Sequence, residues 1–243
     1  MKTFLSKYYL LALMLTNFYI FQSCEKVDQE IVGSGIVIEE ERSNSDFTEV
    51  EVSGEFTINF TKDSNFSVLI NGDNNVLPFV NTHVDGNVLK ISSDENVQIS
   101  NANIEINISL PELTRFVSQG NVIATSTNKL SGNVLTVDAN GESYVDFILQ
   151  INYLTVNIQG TGAALFKGTA KECFLDLSGN VAFTSNLMEV SDLELNKEGN
   201  VEATVYTSEK LVISSKGAGD IYCYGNPEYI EQDIKGNGKL ILR

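Results

Sequence analysis

Beyond Leu113 the chain alternates apolar and polar residues in short runs. A glycine breaks those runs about every twenty residues, at Gly120, Gly141, Gly160, Gly179, Gly199, Gly217 and Gly236. A strand buries every second side chain, so a repeat built of strands keeps the same offsets from the glycine apolar in each unit. Six before the glycine stand Leu135, Leu154, Cys173, Leu193, Leu211 and Ile230; four before it stand Phe116, Val137, Val156, Leu175, Leu195 and Ile213. Four after it come Ala124, Val145, Ala164, Phe183, Ala203, Ile221 and Leu240. The position two after is mixed, with Val122, Val181 and Val201 but also Ser143, Gly162, Gly219 and Gly238.

Each unit reads as two short strands meeting at a glycine corner. The pattern predicts an all-β fold: a single-stranded, β-helix-like β-solenoid with ~20-residue glycine-cornered coils. Glycine suits the corner because a Cβ would penalise the backbone conformation it needs. Asn121, Asn180, Asn200 and Asn237 directly follow four of these glycines, and asparagine tolerates the left-handed region better than most residues. The competing reading of Gly-Asn is a two-residue hairpin, in which the same runs pair as antiparallel ribbons.

Residues 34–113 are strand-rich but less regular, and no linker rich in Pro, Gly and Ser divides them from the rest. One continuous body over 34–243 follows, with this part as an N-terminal cap on the end of the stack. Residues 47–60 alternate around Gly54 much as the later units do. After them the sequence predicts a strand over 66–70, a turn at Asn71-Gly72-Asp73-Asn74 and a short helical piece within 75–84. A hairpin turn at Asp85-Gly86-Asn87 and strands over 88–92 and 104–110 complete this part. Residues 71–75 lack the alternating acids and distal glutamate of an EF-hand and read as a plain turn.

The first residues change the picture of where the protein resides. Lys2 and Lys7 precede an apolar run over 8–21, which Gln22, Ser23 and Cys24 follow. The run is shorter than the roughly 20 residues that span a bilayer and reads as a secretion signal. Its end resembles the lipobox of bacterial lipoproteins, in which cleavage precedes the cysteine and acyl chains are attached to it; Phe21 stands where Leu is usual. Residues 1–23 are therefore read as a cleaved lipoprotein signal peptide, Cys24 as the lipidation site and 24–33 as a tether. The expected location is the cell envelope, at the outer membrane on its periplasmic side or at the cell surface.

Removing residues 1–23 takes away two lysines and no acid, leaving 14 basic against 32 acidic side chains and a formal charge of −18. That argues against both nucleic acid and anionic membrane surfaces as partners. Cys173 lies six before a glycine and Cys223 six after another, in different columns and over two coils apart at ~4.8 Å per coil. A disulfide needs Cα atoms within about 7 Å, so both are read as small buried hydrophobes.

Several short motifs resemble those of the Bacteroidetes family called putative auto-transporter adhesin, head GIN domain (DUF2807). They are Phe47-Thr48-Glu49-Val50-Glu51-Val52-Ser53-Gly54, the segment 75–91 ending Gly86-Asn87-Val88-Leu89-Lys90-Ile91, the Leu110-Pro111-Glu112-Leu113 joint and the Gly-Asn-Val units at Gly120, Gly179 and Gly199. The likeness covers nearly the whole chain after Cys24. It implies a β-solenoid-like envelope protein and brings no catalytic residues with it.

The residues offer little chemistry. His83 is the only histidine, so neither a His-based triad nor a multi-His metal site can be assembled, and no metal or cofactor is expected. Cys173 and Cys223 have no basic or histidine partner nearby in sequence. The enzymatic alternative rests on the position three before the glycine, where Asp138, Asn157, Asp176, Asn196, Ser214 and Asp233 stand. Asp138 and Asp176, two coils apart at ~9.6 Å, border the spacing of an inverting glycosidase. Asn157 fills the coil between them, no Arg or Lys recurs nearby, and a hydrogen-bonding polar ladder explains the same column. A binding role would fall to Tyr206 and Tyr224, both seven after a glycine and pointing outward, with Tyr222 beside them; a sheet-stabilising aromatic ladder is the plainer reading of the same residues.

The sequence thus points to a non-catalytic, lipid-anchored envelope protein, an adhesin or a module that binds a surface glycan or protein partner. A β-helix carbohydrate-active enzyme (polysaccharide hydrolase or lyase) and a self-associating structural component of the envelope are the alternatives. The sequence leaves oligomeric state open.

Overall fold

The computed structural model describes residues 29–42 and 46–243. The expected signal peptide and Cys24 lie outside the described residues. Among the described residues all regular structure is strand, apart from one 3-10 turn at Leu77–Phe79 that opens around Pro78. In chain order the strands are β1 (Gln29–Val32), β2 (Val37–Glu41), β3 (Glu49–Lys62), β4 (Ser67–Asp73), β5 (Val80–Asp85), β6 (Val88–Ser93), β7 (Val97–Ser100) and β8 (Glu105–Leu110). There follow β9 (Arg115–Tyr206), β10 (Lys210–Ala218), β11 (Ile221–Tyr224), β12 (Tyr229–Gly236) and β13 (Leu240–Leu242).

Strand β9 holds 92 residues of continuously paired backbone, which laid straight would run about 300 Å. Instead it bends at its glycines and lies against itself. A Cβ on Gly141, Gly160, Gly179 or Gly199 would strike the carbonyl oxygen of the glycine one unit earlier. The same line continues at both ends. Gly54 pairs with Gly120, Gly199 with Gly217, and Gly217 with Gly236, all in parallel register. Each of these glycines has φ between +94° and +132°, where an L side chain is strained. Parallel pairing here excludes the antiparallel-ribbon reading of the Gly-Asn dipeptides.

The apolar columns face inward. The positions six, four and two before the corner and two, four and six after it carry most of the buried side chains, among them Leu135, Val137, Val145, Leu175 and Leu193. Ile230 is 38% exposed and Leu240 half-buried, because β12 and β13 have a strand on one side only. Rings of Phe60, Phe116, Phe147, Phe166 and Phe183 form a spine along the interior with neighbouring centroids 5.3–6.0 Å apart. Cys173 and Cys223 are free and buried. Burial pushes the Cys173 thiol up to about 12 and raises that of Cys223.

The N-terminal part departs from expectation in four places. Strand β3 is part of the regular stack, lying between β9 on one side and both β6 and β8 on the other. Gly54 therefore starts the glycine line, and only the segment inserted between β3 and β9 is irregular. The expected turn at Asn71-Gly72-Asp73-Asn74 falls later, since Asn71, Gly72 and Asp73 still pair with β2, and the chain turns at Asn74, Asn75 and Val76. The helical piece within 75–84 shrinks to the single 3-10 turn, because from Val80 the backbone pairs antiparallel with β6 around the expected turn at Gly86. Finally, Gln29–Val32, within the segment read as tether, forms strand β1 in parallel with β7; residues 24–28 lie outside the described residues.

Edges at this end are guarded. Strand β2, antiparallel to β4 at the margin of the sheet, carries Glu39, Glu40 and Glu41, and charge on an edge strand opposes pairing with another chain.

Candidate functional site

Three tyrosines gather where the end of β9 pairs with β11. Tyr206 and Tyr224 are Cα partners on neighbouring parallel strands, and Tyr222 shares their face two residues before Tyr224. Side chains of one strand alternate between faces, so Tyr206, Tyr222 and Tyr224 all point away from the core. Tyr224 is 38% exposed and the other two are half-buried. The Arg243 guanidinium lies 5.7 Å from the centre of the Tyr222 ring, a cation–π distance. Each ring presents an apolar face with a polar tip, which suits a sugar ring or a protein side chain.

The carboxylate column behaves as a ladder. Asp138 Oδ2 accepts from Arg115 Nε at 3.1 Å and Nη2 at 3.0 Å, and Oδ1 accepts from Asn157 Nδ2 at 2.7 Å. Arg115 also lies 3.5 Å from Glu51 and 4.0 Å from Glu49. The expectation that no basic residue stands near this column is thus corrected: Arg115 reaches it from the position five before Gly120. Asp176, one unit beyond Asn157, is exposed. Neighbouring columns pair similarly, Lys167 with Asp146 at 3.2 Å, Asn200 with Asn180 at 2.8 Å and Asn152 with Asn133 at 2.9 Å. Such exposed pairs contribute about 0–1 kcal/mol each; they keep side chains in register more than they stabilise.

His83 is exposed in β5, opposite Lys90 of β6. Among the described residues no three His, Cys, Asp or Glu side chains are grouped so as to hold a metal ion, and no helix is long and apolar enough to cross a membrane.

One feature escaped the sequence reading. A groove of about 320 Å³ runs across the outer face of four successive units, lined by Tyr153, Glu172, Phe174, Asp192, Glu194 and Lys210 among others. Tyr153, Glu172, Asp192 and Lys210 stand seven before a glycine, and Phe174 and Glu194 stand five before one. Asp192 and Lys210 are register partners, as are Glu194 and Val212. The signal was present at those two offsets, which mix aromatic, acidic and basic residues where an apolar column would show regularity.

Parallel strands paired in register, with the core inside and varied side chains in outward columns, define an all-β protein. More particularly, the chain belongs to the family described as putative auto-transporter adhesin, head GIN domain, whose model matches residues 46–227. No curated protein matches it. Among solved structures it is similar to a Bacteroides fragilis protein described as a putative adhesin, with TM-score 0.81 and 21% identity over 88% of this chain and 100% of that one. It is also similar to two Parabacteroides distasonis proteins. One is described as a putative lipid binding protein, with TM-score 0.70 and 18% identity over 87% and 99% of the two chains. The other is described as a putative adhesin, with TM-score 0.64 and 23% identity over 88% and 100%. At these identities the likeness is one of fold.

Proposed function

We propose that the protein is a non-catalytic binding module of the cell envelope, a β-solenoid held at the membrane by acyl chains on Cys24, whose outward columns meet a surface glycan or protein. The observation that carries this reading is the in-register pair Tyr206 and Tyr224 with Tyr222 beside it, three outward aromatic side chains on adjoining strands. Family membership supports an exported, adhesin-like role. Engagement of Asp138 by Arg115 and Asn157 favours a ladder over a catalytic carboxylate pair with Asp176.

Replacing both Tyr206 and Tyr224 by Ala should reduce capture of cells or immobilised glycans without lowering the melting temperature. Equal loss of stability and capture would assign the pair to sheet support instead. For the anchor, Cys24→Ser should move the protein from the membrane fraction to the soluble fraction of the cell envelope, because a protein without acyl chains has no comparable hold on the bilayer. Unchanged fractionation would refute lipidation.

A further inference from the structure

We propose that the groove over Tyr153, Phe174 and Glu194 is a second ligand site, separate from the tyrosine cluster, and that it takes a linear glycan bearing free amino groups. The proposal rests on the reading of the protein as a binding module, and it uses different residues.

Some polar side chains elsewhere on the outer face pair with one another, as Asp138 does with Arg115 and Asn157, and Asp146 with Lys167, while others, such as Asp176 and Glu202, stand singly on the exposed surface among the described residues. Asp192 and Glu194 have no side-chain hydrogen bond or ion pair among the described residues, and neither has Lys210. Asp192 and Lys210 sit opposite one another on adjacent strands with opposite charges and still do not pair. Their hydrogen-bonding capacity is directed outward. Glu172 has only Lys171, 3.8 Å away at the surface.

Shape and charge narrow the occupant. The groove runs along the stack from Tyr153 to Lys210, three strand spacings or about 14 Å, so it fits a chain lying lengthwise. Tyr153 is 43% exposed and Phe174 half-buried, providing two ring faces for stacking. Three carboxylates against one lysine give the groove a formal charge of −2, which repels polyuronates and favours a cationic ligand. An extended basic peptide meets the charge requirement too, but such peptides gain affinity by pairing with an open strand edge. Here the groove lies on a sheet face whose backbone is already paired on both sides by neighbouring strands, for instance Asp192 with Lys210 and Glu194 with Val212. A glycan needs only side-chain contacts.

Titration calorimetry of the purified full-length protein in mildly acidic buffer tests this, with glucosamine oligomers, their N-acetylated counterparts, oligogalacturonate and oligolysine as probes. Glucosamine oligomers should bind, N-acetylated ones more weakly, and oligogalacturonate not at all. Affinity should fall about tenfold or more in Phe174→Ala and in Asp192→Asn/Glu194→Gln, the latter a surface change that leaves the fold intact. The Tyr206→Ala/Tyr224→Ala protein should bind these oligomers as wild type does. Absence of binding, equal binding of the N-acetylated oligomers, or affinity indifferent to both groove variants would overturn the assignment. Oligolysine binding with the same variant dependence and higher affinity would give the groove to a basic peptide instead. Loss of oligomer binding in the tyrosine variant alone would merge the two sites and overturn the proposal. If that variant loses cell capture while the groove variants leave oligomer binding unchanged, the groove inference alone fails.

Discussion

Gly179→Ala should destabilise the protein by about 3–5 kcal/mol and lower its melting temperature by roughly 6–20 °C. Two penalties coincide there. The backbone has φ +106°, and the new Cβ would strike the carbonyl oxygen of Gly160. The oxygen cannot retreat, because Gly160 is itself seated on Gly141, and Gly199 is seated on Gly179 from the other side. Relief at one unit would therefore displace several. Gly86→Ala separates the two penalties. Its φ of +64° is also left-handed, but a Cβ there meets nothing within 4 Å, so only the conformational cost of about 1–2 kcal/mol applies. Thermal unfolding of both variants checks this; equal losses would mean that glycine serves these corners through backbone freedom alone and that close stacking is immaterial.

That contrast also explains what was legible in the sequence. Interior columns could be read from Leu135, Leu154 and Cys173 or from Val137, Val156 and Leu175 because a strand's period of two is invariant and the glycine-to-glycine units differ in length by at most three residues. Tyr206 and Tyr224 could be set side by side for the same reason, and they are Cα partners. The stack's beginning was misplaced because Gly54 and Gly120 are direct partners although 66 residues separate them. A spacing rule of about twenty residues cannot cross an insertion of that size, even though residues 47–60 carried the pattern plainly.

Other misses have a different origin. Strand β7 and its partner β1 are four residues each, too short for periodicity to register against turn-rich surroundings, and their pairing is a long-range event. Arg115 could not be assigned to Asp138 because columns were compared at equal offsets, whereas a long guanidinium side chain crosses from one offset to another. The groove was missed for a related reason: its value lies in side chains left unpaired, which only the geometry of their neighbours reveals.

Lys197 carries the second large effect. It stands two before Gly199, in line with the buried Ile158 and Leu177, and is only 4% exposed. Its ammonium donates to the carbonyl oxygens of Val201 at 2.9 Å, Ala218 at 2.8 Å and Gly219 at 2.7 Å. Room for it comes from the position two after the corner, where Gly219 and Gly238 replace the valine of other units; a Cβ on Gly238 would come within 3.4 Å of Nζ. Replacing a buried ion pair by hydrophobes is often harmless because both charges leave together. Here the acceptors are backbone and remain. Hydrogen bonds to charged groups contribute about 1.5–3 kcal/mol each, offset in part by the cost of burying the ammonium.

Lys197→Met, which keeps the volume, should therefore lose about 2 kcal/mol, and Lys197→Ala, which also opens a cavity, about 4 kcal/mol. Burial lowers the Lys197 pKa from its ordinary 10.5, with the Asp220 charge acting in the opposite direction. Below the folded value both states are charged and the group's contribution is constant. As pH rises from there toward 10.5, the native state releases its proton first and the unfolded state binds more protons, so this group's contribution to stability increases. Denaturant unfolding of wild type and Lys197→Met across alkaline pH should show the wild-type advantage widening over that interval. Parallel pH curves would show that burial does not shift Lys197 between the folded and unfolded states, and a Met variant at least as stable as wild type would show that the three carbonyls do not depend on the ammonium.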